Sequence, residues 1–180
     1  MSLFGEVSST ESLVRQIDVT IDQFRKGATA PTDATVGSTP TVPALLFDAT
    51  TELATVTEDL PIDMDLTVDP VLTIIFSLVN SQINNDTADL TFDYVAPIKE
   101  VTGSGPAKAS TTATATTTVT TANGLAVDDM YSINLTIDAA DATNPLASAE
   151  ALSIEMHLTN VTGVAAIHML SAHLRYTAKY

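Results

Sequence analysis

Residues 110–124 read STTATATTTVTTANG, a tract with eight threonines and no charged residue. Whether it is a stalk, a linker or a strand decides what kind of molecule this is. Thr112, Thr114, Thr116, Thr118 and Thr120 fall on one face of an extended chain. Ala113, Ala115 and Val119 fall on the other, with Thr117 the exception. Threonine is β-branched and favours strands. A mucin-like stalk would carry serine and proline and would not need alternation. The nearest prolines, Pro97 and Pro106, both precede the tract. The segment 101–109 (VTGSGPAKA) reads as a loop and 122–125 (ANGL) as a turn. The tract therefore predicts one strand with a small-residue inner face.

The same period of two recurs from Ala44 onward. ALLFDAT is a short apolar strand, and ELATVTEDL sets Leu53, Thr55 and Thr57 against Ala54, Val56 and Glu58. PVLTIIFSLVN (70–80) has the character of a buried strand, and TADLTFDYV (87–95) alternates. MYSINLTID puts Tyr131, Ile133, Leu135 and Ile137 on one face. ALSIEMHLTNV puts Leu152, Ile154, Met156 and Leu158 inside, and AAIHMLSAHLRYTAKY closes the chain as a long strand. With the threonine tract this makes about eight antiparallel strands, the number of a jelly roll. An immunoglobulin-like sandwich needs about seven strands in about 100 residues. The fold class expected is all-β: a single eight-stranded jelly roll over 44–180.

Residues 1–43 are expected to form an N-terminal arm and linker. Leu13, Val14, Ile17, Ile21 and Phe24 fit the 3-4-3 spacing of a helix over about 10–26. Thr10 or Ser9 could cap it and Gly27 end it. The alternation Ile17, Val19, Ile21 supports a strand instead. Residues 27–43, with three prolines, read as a loop.

Seven basic residues face 22 acidic ones, a formal charge of −15. Such a field repels phosphate backbones, so nucleic acid is not an expected partner. No stretch is long and apolar enough to span a membrane as a helix, and the N-terminus lacks the basic start and apolar run of a secretory signal. There are no cysteines, which excludes disulfides and thiolate metal sites.

LPIDMDLTVDP (60–70), LAVDDMYSINLTID (125–138) and the end IHMLSAHLRYTAKY resemble, in their order, the single jelly-roll structural proteins of viruses. The acidic, lysine-poor composition is similar to that of halophile proteins, whose charges are screened at molar salt, where the Debye length is ~3 Å. Together these features resemble the small major capsid proteins of tailless, membrane-containing viruses of haloarchaea. The resemblance implies a capsid subunit of the virion, made in the host cytoplasm. It implies contacts with further copies and other capsid proteins, and an arm (Leu13, Val14, Ile17, Ile21, Phe24) docked on an underlying layer. A decoration, turret or receptor-binding protein of a tailed virus is the alternative within that class.

No catalytic, cofactor or metal site is expected. His168 and His173 are five apart on one strand, which points them to opposite faces, and His157 stands alone. Asp63, Asp65 and Asp69 hint at a calcium loop but lack the glycine and terminal glutamate of an EF-hand. GSGP at 103–106 lacks the P-loop frame, and no GxSxG is present. The four tyrosines, Tyr94, Tyr131, Tyr176 and Tyr180, are too few for a carbohydrate platform. Three glycosylation sequons occur, at Asn85, Asn134 and Asn160, with Asn85 expected in a hairpin loop and Asn160 in a turn. Two readings come from other classes. One is a cell-surface or carbohydrate-binding β-sandwich module, which a signal peptide or an aromatic-lined face would favour, and neither is evident. The other is an enzyme on a jelly-roll scaffold such as a cupin, whose cluster of metal-binding histidines is missing.

Overall fold

A computed structural model describes residues 13–49, 51–79, 87–96, 98–100, 111–120, 129–140, 142, 145–147, 150–162 and 166–179. All eight strands read from the sequence are present. They are β4 (Val42–Phe47), β5 (Leu53–Asp59), β6 (Val71–Leu78), β7 (Thr87–Ala96), β9 (Thr111–Thr120), β10 (Met130–Thr136), β11 (Glu150–Thr162) and β12 (Ile167–Ala178). Four more join them: β1 (Leu13–Val19), β2 (Arg25–Lys26), β3 (Thr32–Val36) and β8 (Ile98–Glu100). The described strands form two six-stranded sheets. Sheet A runs β10-β6-β12-β4-β3 with β1 also on β12, and sheet B runs β2-β5-β11-β7-β9 with β8 also on β11. Among the eight expected strands, β10-β6-β12-β4 faces β5-β11-β7-β9, the interleaved order of a jelly roll.

The N-terminal region departs from expectation. Residues 13–19 form a strand, not a helix, pairing antiparallel with β12 from Leu13–Ala178 to Val19–Ala172. Ile17 packs on the core and Val19 is buried within it. Ile17 and Ile21 fit both periods, and the edge of β12 decides between them by offering a seven-residue ladder. The chain then makes one 3-10 turn, Ile21–Gln23, closed by a reciprocal capping box between Thr20 and Gln23. Phe24 drops into the core. The assembly arm is therefore corrected: Ile17, Ile21 and Phe24 pack on their own domain, and only Leu13 and Val14 stay exposed. The segment 27–43 is not one loop, because β3 pairs with β4 within it. Gly27 donates its N–H to the Leu53 carbonyl at 2.9 Å, and a Cβ there would stand 2.9 Å from that of Leu53.

The core lies between the sheets. Phe47, Phe76, Leu45, Met64, Leu72, Ile74, Leu78 and Ile133 are its largest fully buried members. Each such side chain contributes roughly 1.5–3 kcal/mol on leaving water. On β10 the expected alternation holds: Ile133 and Leu135 are buried while Ser132, Asn134 and Thr136 are exposed.

One irregularity shapes sheet A. Against β6, Met169 pairs with Phe76 and Ser171 with Ile75, so Leu170 is an extra residue, a β-bulge. Ile167 and Met169 point into the core before it, and Ala172, Leu174, Tyr176 and Ala178 after it. The bulge thus switches which parity faces inward. The other edge of β12 changes partner at the same point, from β4 (up to Met169) to β1 (from Ala172).

Candidate functional site

The outward positions of sheet A follow from these registers. Asp18 stands opposite His173, which stands opposite Thr73, which stands opposite Asn134. This row crosses four strands, a span of roughly 14 Å at the usual strand spacing. Below it run Gln16, Arg175, Val71 and Thr136, and above it Ser171, Ile75 and Ser132. The Thr73 hydroxyl donates to Asn134 Oδ1 at 2.7 Å, leaving the Asn134 amide N–H groups facing outward as donors. Gln16 Nε2 donates to Asp18 Oδ1.

The electrostatics of this face differ from those of the chain. The formal charge is −15 overall. Among the described outward positions of sheet A, Asp18 and Arg175 are the charged residues, one of each sign. The rest are hydroxyl, amide, imidazole and aliphatic. Met130, Val14 and Val42, 73%, 55% and 46% exposed, sit at the margins of the same face.

Two depressions border it. A slot of about 580 Å³ opens between the 3-10 turn and the start of β4, over Leu170 and Ser171. It exists because β4 and β1 part where the bulge interrupts β12. Leu170 forms a small second cluster there with Val36 and Ala44. A Lys26–Asp33 ion pair of 2.6 Å and the Asp22 carboxylate mark the slot's rim. The Thr20 hydroxyl holds the Asp22 carboxyl below its ordinary pKa. At the opposite end Val14, Val71, Asn134, Arg175 and Thr177 line a groove of about 340 Å³, rimmed by Val68 and Asp69.

A third depression, of about 460 Å³, lies on sheet B among Gln23, Arg25, Thr55, Thr57 and Glu58. Glu58 continues the inward parity of Ala54 and Val56. Burial first, and Asp59 second, push its carboxyl above the ordinary value.

The other candidates resolve as follows. His168 and His173 lie on the same, outer face, because the bulge between them reverses the alternation. The three loop aspartates are separately engaged. Asp63 pairs with Arg15 at 2.6 Å. Asp65 accepts the Thr67 N–H at 3.0 Å and hydroxyl at 2.8 Å, which lowers its pKa. Asp69 accepts the Ala139 N–H at 3.0 Å. Their loop is stitched to the end of β12 by Asp65 N–H to Thr177 O (2.7 Å) and Lys179 N–H to Asp63 O (2.6 Å). Tyr131 turns inward against Phe76, ring centroids 5.9 Å apart, and Tyr176 is buried. Asn134 is on the outer face, and Asn160 lies within β11 rather than in a turn. Asn85, Tyr180 and the GSGP cluster fall outside the described residues. Sequence reasoning missed Asp18, Thr73 and Arg175, which only the register brings together.

No protein-family model matches the chain, and no curated protein does. Solved structures are similar to it in fold. The xylan-binding module CBM15 is 15% identical, with 94% of this chain and 100% of that one covered and a TM-score of 0.49. A family 11 carbohydrate-binding module from Clostridium thermocellum, in complex with a β-1,3-1,4-mixed-linked tetrasaccharide, is 12% identical, with 93% and 98% covered and a TM-score of 0.48. The CBM22-1 xylan-binding domain of Paenibacillus barcinonensis Xyn10C is 10% identical, with 94% and 97% covered and a TM-score of 0.44. These neighbours are carbohydrate-binding modules. None of the three is a capsid protein, and the expectation of a capsid subunit of a haloarchaeal virus is corrected accordingly.

Proposed function

We propose that the chain is a non-catalytic binding module for a neutral, hydroxyl-rich chain such as a plant-type polysaccharide, held on the outer face of sheet A. The observation that carries this reading is the near-absence of charge on that face in a molecule of net charge −15. A neutral ligand meets no desolvation cost from unpaired carboxylates there. Hydrogen-bonding groups on rigid strands fix its orientation: Asp18 accepts, while Asn134 and Arg175 donate. Tyr131 and Tyr176 on sheet A turn inward, so recognition on this face rests on hydrogen bonds and aliphatic contact rather than on ring stacking. Anionic polymers are disfavoured by the field of the whole chain.

The test is affinity electrophoresis in native gels containing soluble xylan or mixed-linked β-glucan. Retardation in at least one gel is expected. Asn134→Ala and Arg175→Ala should each weaken it about tenfold, the equivalent of ~1.4 kcal/mol. Unchanged mobility in both gels, or variants retarded as strongly as the wild type, contradicts the proposal.

A further inference from the structure

The threonine-rich strand β9 has one ladder partner among the described residues. β9 pairs with β7 over ten residues, from Thr111–Ala96 to Thr120–Thr87. It ends the order of sheet B, and its second edge has no strand among the described residues. Natural edge strands are usually short, or carry lysine or proline that discourages pairing with another chain. This one has neither: no charged residue or proline occurs from Ala109 to Val127. Threonine and valine dominate it, and both favour the extended state. On a chain of net charge −15, the edge strand itself presents no carboxylate to a second copy, and Asp89 and Asp93 on β7 stand one strand back, opposite Thr118 and Thr114.

We propose that two copies associate through β9, antiparallel, continuing sheet B of one into sheet B of the other about a two-fold axis. The register follows from strand geometry. Opposed residues in an antiparallel pair share a face and direct their N–H and C=O alike, both toward the shared edge or both away from it, so between two copies of one strand their numbers must sum to an even value. The two-fold axis therefore passes through a residue. Centring on Thr116 opposes Thr114 to Thr118 and Thr112 to Thr120, with Ala113 opposite Val119. Threonine-on-threonine pairs are favourable cross-strand neighbours. Centring on Ala115 gives fewer of them and sets alanine on alanine. The interaction is isologous and closed, so it stops at a dimer. Because the rest of both surfaces repels, association strengthens with salt.

The chain has no native cysteine, which makes the test direct. Sedimentation velocity of the wild type should show a monomer–dimer equilibrium that shifts toward dimer in high salt. Under mild oxidant, Thr116→Cys should form a disulfide dimer at least tenfold faster than Ser132→Cys, which lies on the outer face of sheet A. Thr112→Cys and Thr120→Cys should cross-link little alone and rapidly when mixed. Thr116→Lys should be monomeric with an unchanged circular-dichroism spectrum. A wild type that stays monomeric at every concentration and salt, or a Thr116→Cys that cross-links no faster than Ser132→Cys, overturns the proposal. Neither result depends on whether sheet A binds carbohydrate, since no polysaccharide is present.

Discussion

The outer face of sheet A and the rim of sheet B near Glu58 handle polar groups in opposite ways. On sheet A the strands carry one Asp and one Arg among hydroxyls and amides at the outward positions of the ladders, Thr73 and Ser77 buried among them. At the sheet B rim a carboxylate occupies an inward-parity position, half-buried between Val56 and Leu60, with Asp59 beside it. The first arrangement stores hydrogen-bonding capacity at little cost to stability. The second stores a small destabilisation, because burial opposes the ionised form. The contrast separates a surface suited to a neutral ligand from one where charge is merely tolerated.

The largest expected effect comes from shifting the parity that creates the neutral face. Inserting one alanine between Leu174 and Arg175, in the regular part of β12, turns residues 175–178 over, sending Arg175 inward and Tyr176 outward. Cooperative unfolding should be lost; a sharp melt near the wild-type Tm would break the parity argument. Next, Leu174→Ala in the core should cost ~3 kcal/mol, whereas Leu170→Ala at the open slot should cost ~1 kcal/mol. Urea titrations measure both, and equal costs would show that the slot is packed like the core. On the face itself, Asn134→Asp keeps the oxygen that accepts from Thr73 but removes the amide donor. Polysaccharide retardation should fall about tenfold while the melting temperature stays nearly constant.

The smallest effect belongs to the rim. The folded pKa of Glu58 lies above its ordinary value of 4.5. Folding therefore favours its protonated form, and the associated stability is present at low pH and lost as pH rises through the folded value. Glu58→Gln should exceed the wild type in stability at neutral pH by under ~1 kcal/mol. The two should converge as pH falls below the ordinary carboxylate range. A gain that persists at low pH would assign the effect to packing instead.

Much of the sandwich was legible in the sequence, since alternation and two short apolar runs together locate eight strands, the threonine tract among them. What escaped has physical reasons. Leu13, Val14, Ile17, Ile21 and Phe24 satisfy a helical period, and nothing local says that β12 offers an open edge to residues 13–19. The bulge left a trace in the adjacent apolar pair Met169 and Leu170, which interrupts the alternation of the last strand, but its consequence for His168 and His173 appears only against β6. The neutral face was invisible because it is assembled from Asp18, Thr73, Asn134 and Arg175, residues on four strands. Net charge is a sum over the chain, and which face lacks it depends on register.

The most direct test of the account is a titration of the isotope-labelled wild type with neutral xylan and mixed-linked β-glucan oligosaccharides, followed by amide chemical shifts. The account predicts that perturbations cluster on Gln16, Asp18, Thr73, Asn134, His173 and Arg175. Perturbations confined to Thr55, Thr57 and Glu58 on sheet B, or none with either sugar, would contradict it.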